Sequence, residues 1–290
     1  MTASKRELPN RIVLITGATS GIGFATAKAL AGAGARVVIV SRDAQRGETA
    51  RAAISRETGS SQLDVMHADL ASLDSIRALA QRFQATHGSL DVLINNAGVF
   101  EPRRRLSADG IEMTFAVNVV APFLLTELLL ERLRQSAPSR IVNVCSAMHA
   151  SASIDIDDLQ FEGRRYGMTR AYGQSKLALL MVTKELARRL QGTDVTVNAV
   201  HPGFVASNLG KLGGPVGISW TLMKPFMISS EEGAKTSVYL ALSPDVTGVT
   251  GGYFAKQSQA PSNPIADDPR LAKELWGVLE TLVGLGAQAK

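Results

Sequence analysis

Apolar positions fall into two rhythms that alternate along the chain. Short continuous runs, of which Arg11-Ile12-Val13-Leu14-Ile15-Thr16 and Arg36-Val37-Val38-Ile39-Val40-Ser41 are the clearest, have the length and β-branched content of strands buried on both faces. Between them stand segments such as FATAKALAGAGA after residue 23 and LALLMVTKELARRL after residue 176, where apolar side chains recur at helical spacing. Strands are expected near residues 11–16, 36–41, 63–67, 90–94, 140–145, 194–200 and 252–255. Long helices are expected over 106–134 and 170–191, with a last helix near 267–284 against the flank of the sheet. Strand alternating with helix predicts an α/β chain of one domain, residues 1–290, built on a doubly wound parallel sheet with helices on both faces.

The first strand ends in Gly17-Ala18-Thr19-Ser20-Gly21-Ile22-Gly23, and helical spacing starts at once. Glycines in a strand-to-helix turn suit a phosphate: Gly17 permits the tight turn, Gly21 lets backbone approach a pyrophosphate, and Gly23 lets the helix pack on the sheet. The free amides of the helix start receive the anion. Three residues separate the first two glycines and one the last two, whereas the general dinucleotide fingerprint has one and then two. The second strand ends in Ser41-Arg42 where an acidic residue would usually meet a ribose 2′-hydroxyl. A guanidinium suits a 2′-phosphate instead, and such charge-assisted bonds are worth about 1.5–3 kcal/mol. Asp43 and Arg46 leave a solvated loop of mixed charge as the alternative.

Tyr172 and Lys176 stand four positions apart and share a helix face. Bringing a phenol down by roughly three pKa units takes about 4 kcal/mol of phenolate stabilisation, which one ammonium about 4 Å away supplies at a partly buried site. The pair is a candidate acid/base.

With these pieces the chain resembles the short-chain dehydrogenase/reductase family over nearly its whole length. The motifs come in the family's order: TGATSGIG from Thr16, Asp69-Leu70 after the third strand, Asn95-Asn96-Ala97-Gly98 after the fourth, Asn118, Ser146, Tyr172 with Lys176, and His201-Pro202-Gly203. The long Ser146-to-Tyr172 spacing and the tail GGYFAKQSQAPSNPIADDPRLAKELW are most similar to the retinol dehydrogenase-like branch. The resemblance implies a Rossmann-type fold and an oxidoreductase that moves hydride between NADP(H) and a carbonyl or alcohol. It implies a catalytic set of Asn118, Ser146, Tyr172 and Lys176. Tyr172 exchanges the proton, Lys176 lowers its pKa and holds the nicotinamide ribose, Ser146 stabilises charge on the substrate oxygen, and Asn118 holds a water linking Lys176 to solvent. Cofactor binding is expected from Gly17, Ser20, Gly21, Ile22, Gly23, Arg42, Asp69 at the adenine with Leu70, Asn96 near the adenosine ribose, Ala97, Gly98, Tyr172, Lys176, Pro202, Gly203 and Val205.

The resemblance also divides the chain into a tail (1–10), a substrate lid (204–230) and a C-terminal extension (256–290). The lid carries Phe204, Val205, Leu209, Leu212, Trp220, Leu222, Met223, Phe226 and Met227 among glycines that read as a loop, an apolar wall for a lipophilic substrate. Ser146, Met148, Tyr172 and Phe204 are its expected substrate contacts, with Phe161 extending the wall. A non-catalytic NADP(H) sensor and a reductase of carbon-carbon double bonds are the alternatives.

Composition narrows the partners. A net charge of +5 is dispersed, with no aromatic platform, which argues against nucleic acid, and the cluster Arg103-Arg104-Arg105 reads as loop charge that could line the mouth. The four histidines and Cys145 make no metal-ligand spacing, and one cysteine excludes an internal disulfide. With no signal peptide or span in MTASKRELPN, a cytoplasmic enzyme without a membrane span is expected, although several members of the retinol dehydrogenase-like branch are membrane-anchored. The two long helices are candidates for a homo-oligomeric bundle.

Overall fold

The computed structural model describes residues 11–205 and 228–285 as one α/β body. The tail 1–10 and most of the expected lid, Leu209 through Met227, lie outside the described residues. Strands β1 (Ile12–Thr16), β2 (Arg36–Ser41), β3 (Leu63–His67), β4 (Val92–Asn95), β5 (Ser139–Val144), β6 (Val195–His201), β7 (Tyr253–Ala255) and β8 (Ser258–Gln259) form one sheet in the order 3-2-1-4-5-6-7-8. All neighbours are parallel except β7 and β8. The eighth strand is not among the seven expected. It is reached through Lys256 and Gln257, both at positive φ, and so tight a turn can only join antiparallel strands. Lys-Gln carries none of the asparagine or glycine that marks such turns in sequence.

Helices α1 (Gly21–Gly32), α2 (Ala44–Thr58) and α3 (Leu73–Thr86) follow the first three strands. After β4 come α4 (Met113–Phe115), a π turn over Ala116–Val120 and α5 (Ala121–Gln135), continuous with one another, and later α6 (Met168–Arg189), α7 (Ser230–Leu242) and α8 (Pro269–Leu282). The helix expected from residue 106 begins only at Met113. Residues 107–110 turn back through Gly110 at φ +75, Leu106 pairs with Glu112, and the buried Glu112 carboxylate caps the amides of Thr114 and Phe115.

Strand side chains pack on both faces. Leu14, Leu93 and Ile141 meet α3, α5 and α6 in one cluster, while Val13, Ile15 and Val142 meet α1 and α7 in another. Sheet faces this apolar leave function to the strand ends. The order reverses between β1 and β4, so the crevice above their carboxyl ends is the natural ligand position of a doubly wound sheet. The last helix lies chiefly on α6 rather than on the sheet. Its Trp276 is buried, edge-on to Phe123 of α5 at 4.9 Å and under the Arg189 guanidinium of α6 at 4.1 Å, so it covers part of the face offered by the two long helices.

Candidate active site

The glycine turn is built by close approach. A Cβ on Gly23 would lie 2.3 Å from the Gly17 carbonyl oxygen and 2.4 Å from the Asn96 amide nitrogen, so no side chain fits there. Gly17 and Gly21 hold φ of +68 and +57, conformations that L side chains rarely adopt. Around Gly21 the position of a Cβ is open, with no atom of the described residues within 4 Å. Ser20, extended and first in the turn, makes no side-chain cap to α1, and the first turn of α1 carries no acidic residue. Open space over a glycine, an uncommitted hydroxyl and a bare helix start fit a pyrophosphate.

Asn96 acts here as a clasp. Its amide donates to the carbonyls of Thr16 and Gly17 at 2.9 and 3.1 Å, while Thr16 Oγ1 accepts from the backbone amides of Asn96 and Ala97. The ends of β1 and β4 are thereby tied. Arg42, at the end of β2, is exposed and has no ion-pair or hydrogen-bond partner among the described residues. The neighbouring Asp43 carboxylate is committed to capping α2 at the Arg46 amide, 2.9 Å away. Asp69 folds on itself, accepting from Ala71 N through one oxygen, with Leu70 half-buried beside it.

The second cluster comes from β5 and α6. Ser146 follows β5, and its side chain stands near enough to the Tyr172 hydroxyl to favour the ionised phenol. Lys176 is 3 % exposed; its Nζ donates to the Val144 carbonyl at 2.9 Å and lies 5.6 Å from the centroid of the Tyr172 ring. In the protein alone burial pushes the Tyr172 phenol up to about 12, with Ser146 opposing it, and burial lowers the Lys176 pKa. Cys145, buried as expected, donates its thiol to the Lys176 carbonyl and is pushed up to about 11 by burial.

Asn118 sits in the π turn, fully buried, gripping both backbone groups of Val99 and donating to Ser175 Oγ at 3.0 Å. A Cβ on Gly98 would lie 3.4 Å from Asn118 Oδ1 and 3.5 Å from Lys176 Nζ, which puts the Asn95–Gly98 turn directly over this pair. Pro202 and Gly203 follow β6. Gly203 is at φ +91 with Ile228 filling the place of its side chain, and Val205 pairs with Ile228 where the described chain resumes. Phe204 is 44 % exposed and Met148 half-buried.

Phe161 does not extend an apolar wall. It is 4 % exposed at positive φ, edge-on to Tyr166 and under the Arg164 guanidinium, a packing core for the 150–167 segment. Arg104 and Arg105 are tied to Glu162 and Glu101, which leaves Arg103 as the member of the arginine cluster without an ion pair among the described residues. Phe100, which no sequence signal singled out, meets the Tyr172 ring edge-on at 4.8 Å.

The comparisons agree with this geometry. Residues 11–212 match the family described as short chain dehydrogenase. Human retinol dehydrogenase 13 is 43 % identical over 294 residues, covering 98 % of this chain and 88 % of its own. Among solved structures, an uncharacterized protein from Mycobacterium paratuberculosis superposes with a TM-score of 0.77 at 33 % identity over 97 % of both chains. A short chain dehydrogenase from Burkholderia cenocepacia in complex with NADP superposes with a TM-score of 0.69 at 28 % identity, over 86 % of this chain and 97 % of its own. The likeness to retinol dehydrogenases corrects the expected cytoplasmic location, because theirs is the branch that includes membrane-anchored members. Nor is a span excluded by composition: the helix Met113–Gln135, 23 residues, is long and apolar enough to cross a bilayer, although 72 % of its most apolar stretch is buried within this fold.

Proposed function

The chain belongs to the short-chain dehydrogenase/reductase family and interconverts alcohols and carbonyls; on that premise we propose that it uses NADP(H), with Tyr172 moving the proton, on a lipophilic substrate. The observation that carries the reading is the meeting of Ser146, Tyr172 and Lys176 below the turn that leads from β4, with Arg42 unpaired at the end of β2. Gly17, Ser20, Gly21, Ile22 and Gly23 would hold the pyrophosphate and Arg42 the 2′-phosphate. Asp69, Leu70 and Asn96 would flank the adenosine side, Ala97 and Gly98 would carry the cofactor past Lys176, and Pro202, Gly203 and Val205 would complete the site from β6. The nicotinamide supplies or takes the hydride when bound.

In reduction, Tyr172 Oη gives its proton to the substrate oxygen, and the Ser146 hydroxyl donates a hydrogen bond to that oxygen while charge builds on it. Lys176 holds positive charge over the phenol ring and so stabilises the phenolate left behind. Oxidation runs the same contacts in reverse. Asn118 keeps the π turn and the Asn95–Gly98 turn in register with Lys176. The substrate reading rests on retinol as the alcohol named for the relatives, and on Met148, Phe100 and Phe204 standing near Ser146, Tyr172 and the lid's start.

The test is a series of n-alkyl aldehydes, with retinol in the oxidative direction, assayed with NADPH and NADH. Efficiency should rise with chain length until the pocket is filled, as each buried methylene adds about 0.8 kcal/mol. NADPH should be preferred by about ten- to a hundredfold, the worth of one charge-assisted contact, and Arg42→Ala should erase that preference. Equal use of both cofactors by the parent removes the NADP(H) assignment, and a flat or falling aldehyde series removes the lipophilic one.

A further inference from the structure

Ser146 caps a single 3-10 turn, Ala147–His149, with its Oγ accepting from Met148 N at 3.3 Å, and Ala147 N donates to His201 Nδ1 at 3.2 Å. The proposed chemistry needs the Ser146 hydroxyl fixed against Tyr172, and beyond this short turn three further contacts set residues 146–152. The Ser146 carbonyl can only accept, so His149 Nδ1, 2.6 Å from it, carries the proton. His149 is 1 % exposed, stands edge-on to Tyr253 at 4.5 Å, and keeps Nε2 buried without a hydrogen-bond partner among the described residues. On the side of α6, Gly173 has no side chain where a Cβ would lie 3.3 Å from the Met148 carbonyl and from Ala152, so the loop rests on the helix one residue from Tyr172. On the other side, Asn263 reaches in from the C-terminal extension, more than a hundred residues away. Its one amide group donates to the carbonyls of His149, Ala150 and Ala152 at 2.9, 3.3 and 2.9 Å, while its oxygen accepts from Ile265. Asn263 is 6 % exposed, and its strand of chain is in turn pinned to α6 by Lys184, which bonds Ser262 and Asp267.

The geometry assigns Asn263 as a positioning residue for the reaction: through the 149–152 carbonyls and the His149–Ser146 contact it holds the Ser146 hydroxyl in line with Tyr172. Three adjacent carbonyls that would otherwise repel one another are gathered on one amide, and no other described side chain donates to these three. The segment 260–268 thus serves as a strap across the catalytic loop, linking α6 at Lys184 to α6 at Gly173 by way of the residue that contacts substrate. This deepens the proposed function and rests on its reading of Ser146.

The test is Asn263→Asp, which keeps the shape and the acceptor for Ile265 but replaces the donor with a carboxylate facing carbonyls. Turnover should fall about ten- to a hundredfold, the scale of a misplacement of roughly 1 Å, with NADPH affinity by fluorescence titration held within about twofold. Asn263→Gln, which retains the donor, should recover part of the loss. In a Ser146→Ala background Asn263→Asp should cost almost nothing more, because both changes remove the same contact. An equal fractional loss in both backgrounds, a parallel loss of NADPH affinity, or parental turnover of Asn263→Asp overturns the inference. Ser146→Ala with parental turnover overturns the reading of Ser146 and the inference together, and it is recognised from that single variant. If Asn263→Asp does not fold, Lys184→Met, which frees the strap from α6, takes its place, with a smaller loss in the parent and none beside Ser146→Ala; loss in both contradicts the assignment.

Discussion

The turn after β1 and the loop after β5 end two strands of one sheet and face the same crevice, yet they are held by opposite means. The glycine turn is fixed by what is missing: Gly23 has no room for a methyl group, Gly17 and Gly21 need left-handed backbone, and Asn96 seals the gap from the end of the neighbouring strand β4. The Ser146 loop is fixed by what is added from afar, His149 below it and Asn263 across it. The first kind of site tolerates almost no change of residue at its glycines. The second depends on side chains whose spacing in sequence follows no rule.

Substitutions in the turn should split along that line. In Gly23→Ala a methyl group would press on the Gly17 carbonyl at 2.3 Å, a backbone atom that cannot swing aside. Overpacking of this kind costs about 1–3 kcal/mol, so thermal unfolding without NADPH should drop by several degrees and cofactor binding with it. Gly21→Ala meets open space and pays only the left-handed backbone, about 1–2 kcal/mol, so the loss should lie more in NADPH affinity than in the unliganded midpoint. Equal effects on stability and on affinity in the two variants would break the distinction drawn between a packing glycine and a ligand-facing one.

A smaller effect separates the two regions by pH. Residues 16–24 contain no titratable side chain, whereas the catalytic loop buries His149 next to His201. Burial lowers the pKa of both, with the charge of Lys184 adding to His149 and that of His149 to His201. Above the ordinary histidine value of 6.5 both rings are neutral folded or unfolded, and they contribute nothing to pH dependence. As pH falls below it the unfolded chain takes up protons that the folded loop refuses, so stability is lost, by at most about 1.4 kcal/mol per pH unit for His149. Unfolding midpoints between pH 7.5 and 5 should show this decline on buffer scales of about half a unit, and His149→Gln should flatten it. A slope unchanged in the variant would assign the acid sensitivity elsewhere.

How much of this was legible in the chain follows from the same contrast. The expected strands match seven observed ones to within two residues, most clearly where continuous apolar runs are covered on both faces, as in β1 and β2, and the Gly17–Gly23 turn declared itself through residues that only backbone geometry demands. Tyr172 and Lys176 were visible as a helical pair, but the depth of burial that raises the phenol was not. The expected helix start lies too early because the Asp109-Gly110 turn, with Gly110 at φ +75, breaks the chain before Met113. Phe161 looked like a wall residue and is a core residue of its own segment, held by Arg164. Asn263 and His149 carried no local signal, for their partners are carbonyl groups, which every residue has.

The central claim is that Tyr172 moves the proton. It is tested most directly by carbonyl reduction with NADPH in the parent and in Tyr172→Phe, which keeps the ring against Phe100 and under Lys176 but has no proton to give. The account predicts a fall in turnover of at least about a hundredfold with NADPH affinity nearly unchanged, while in the parent alcohol oxidation climbs with pH as phenolate forms. Near-parental turnover of Tyr172→Phe on a verified substrate would contradict it.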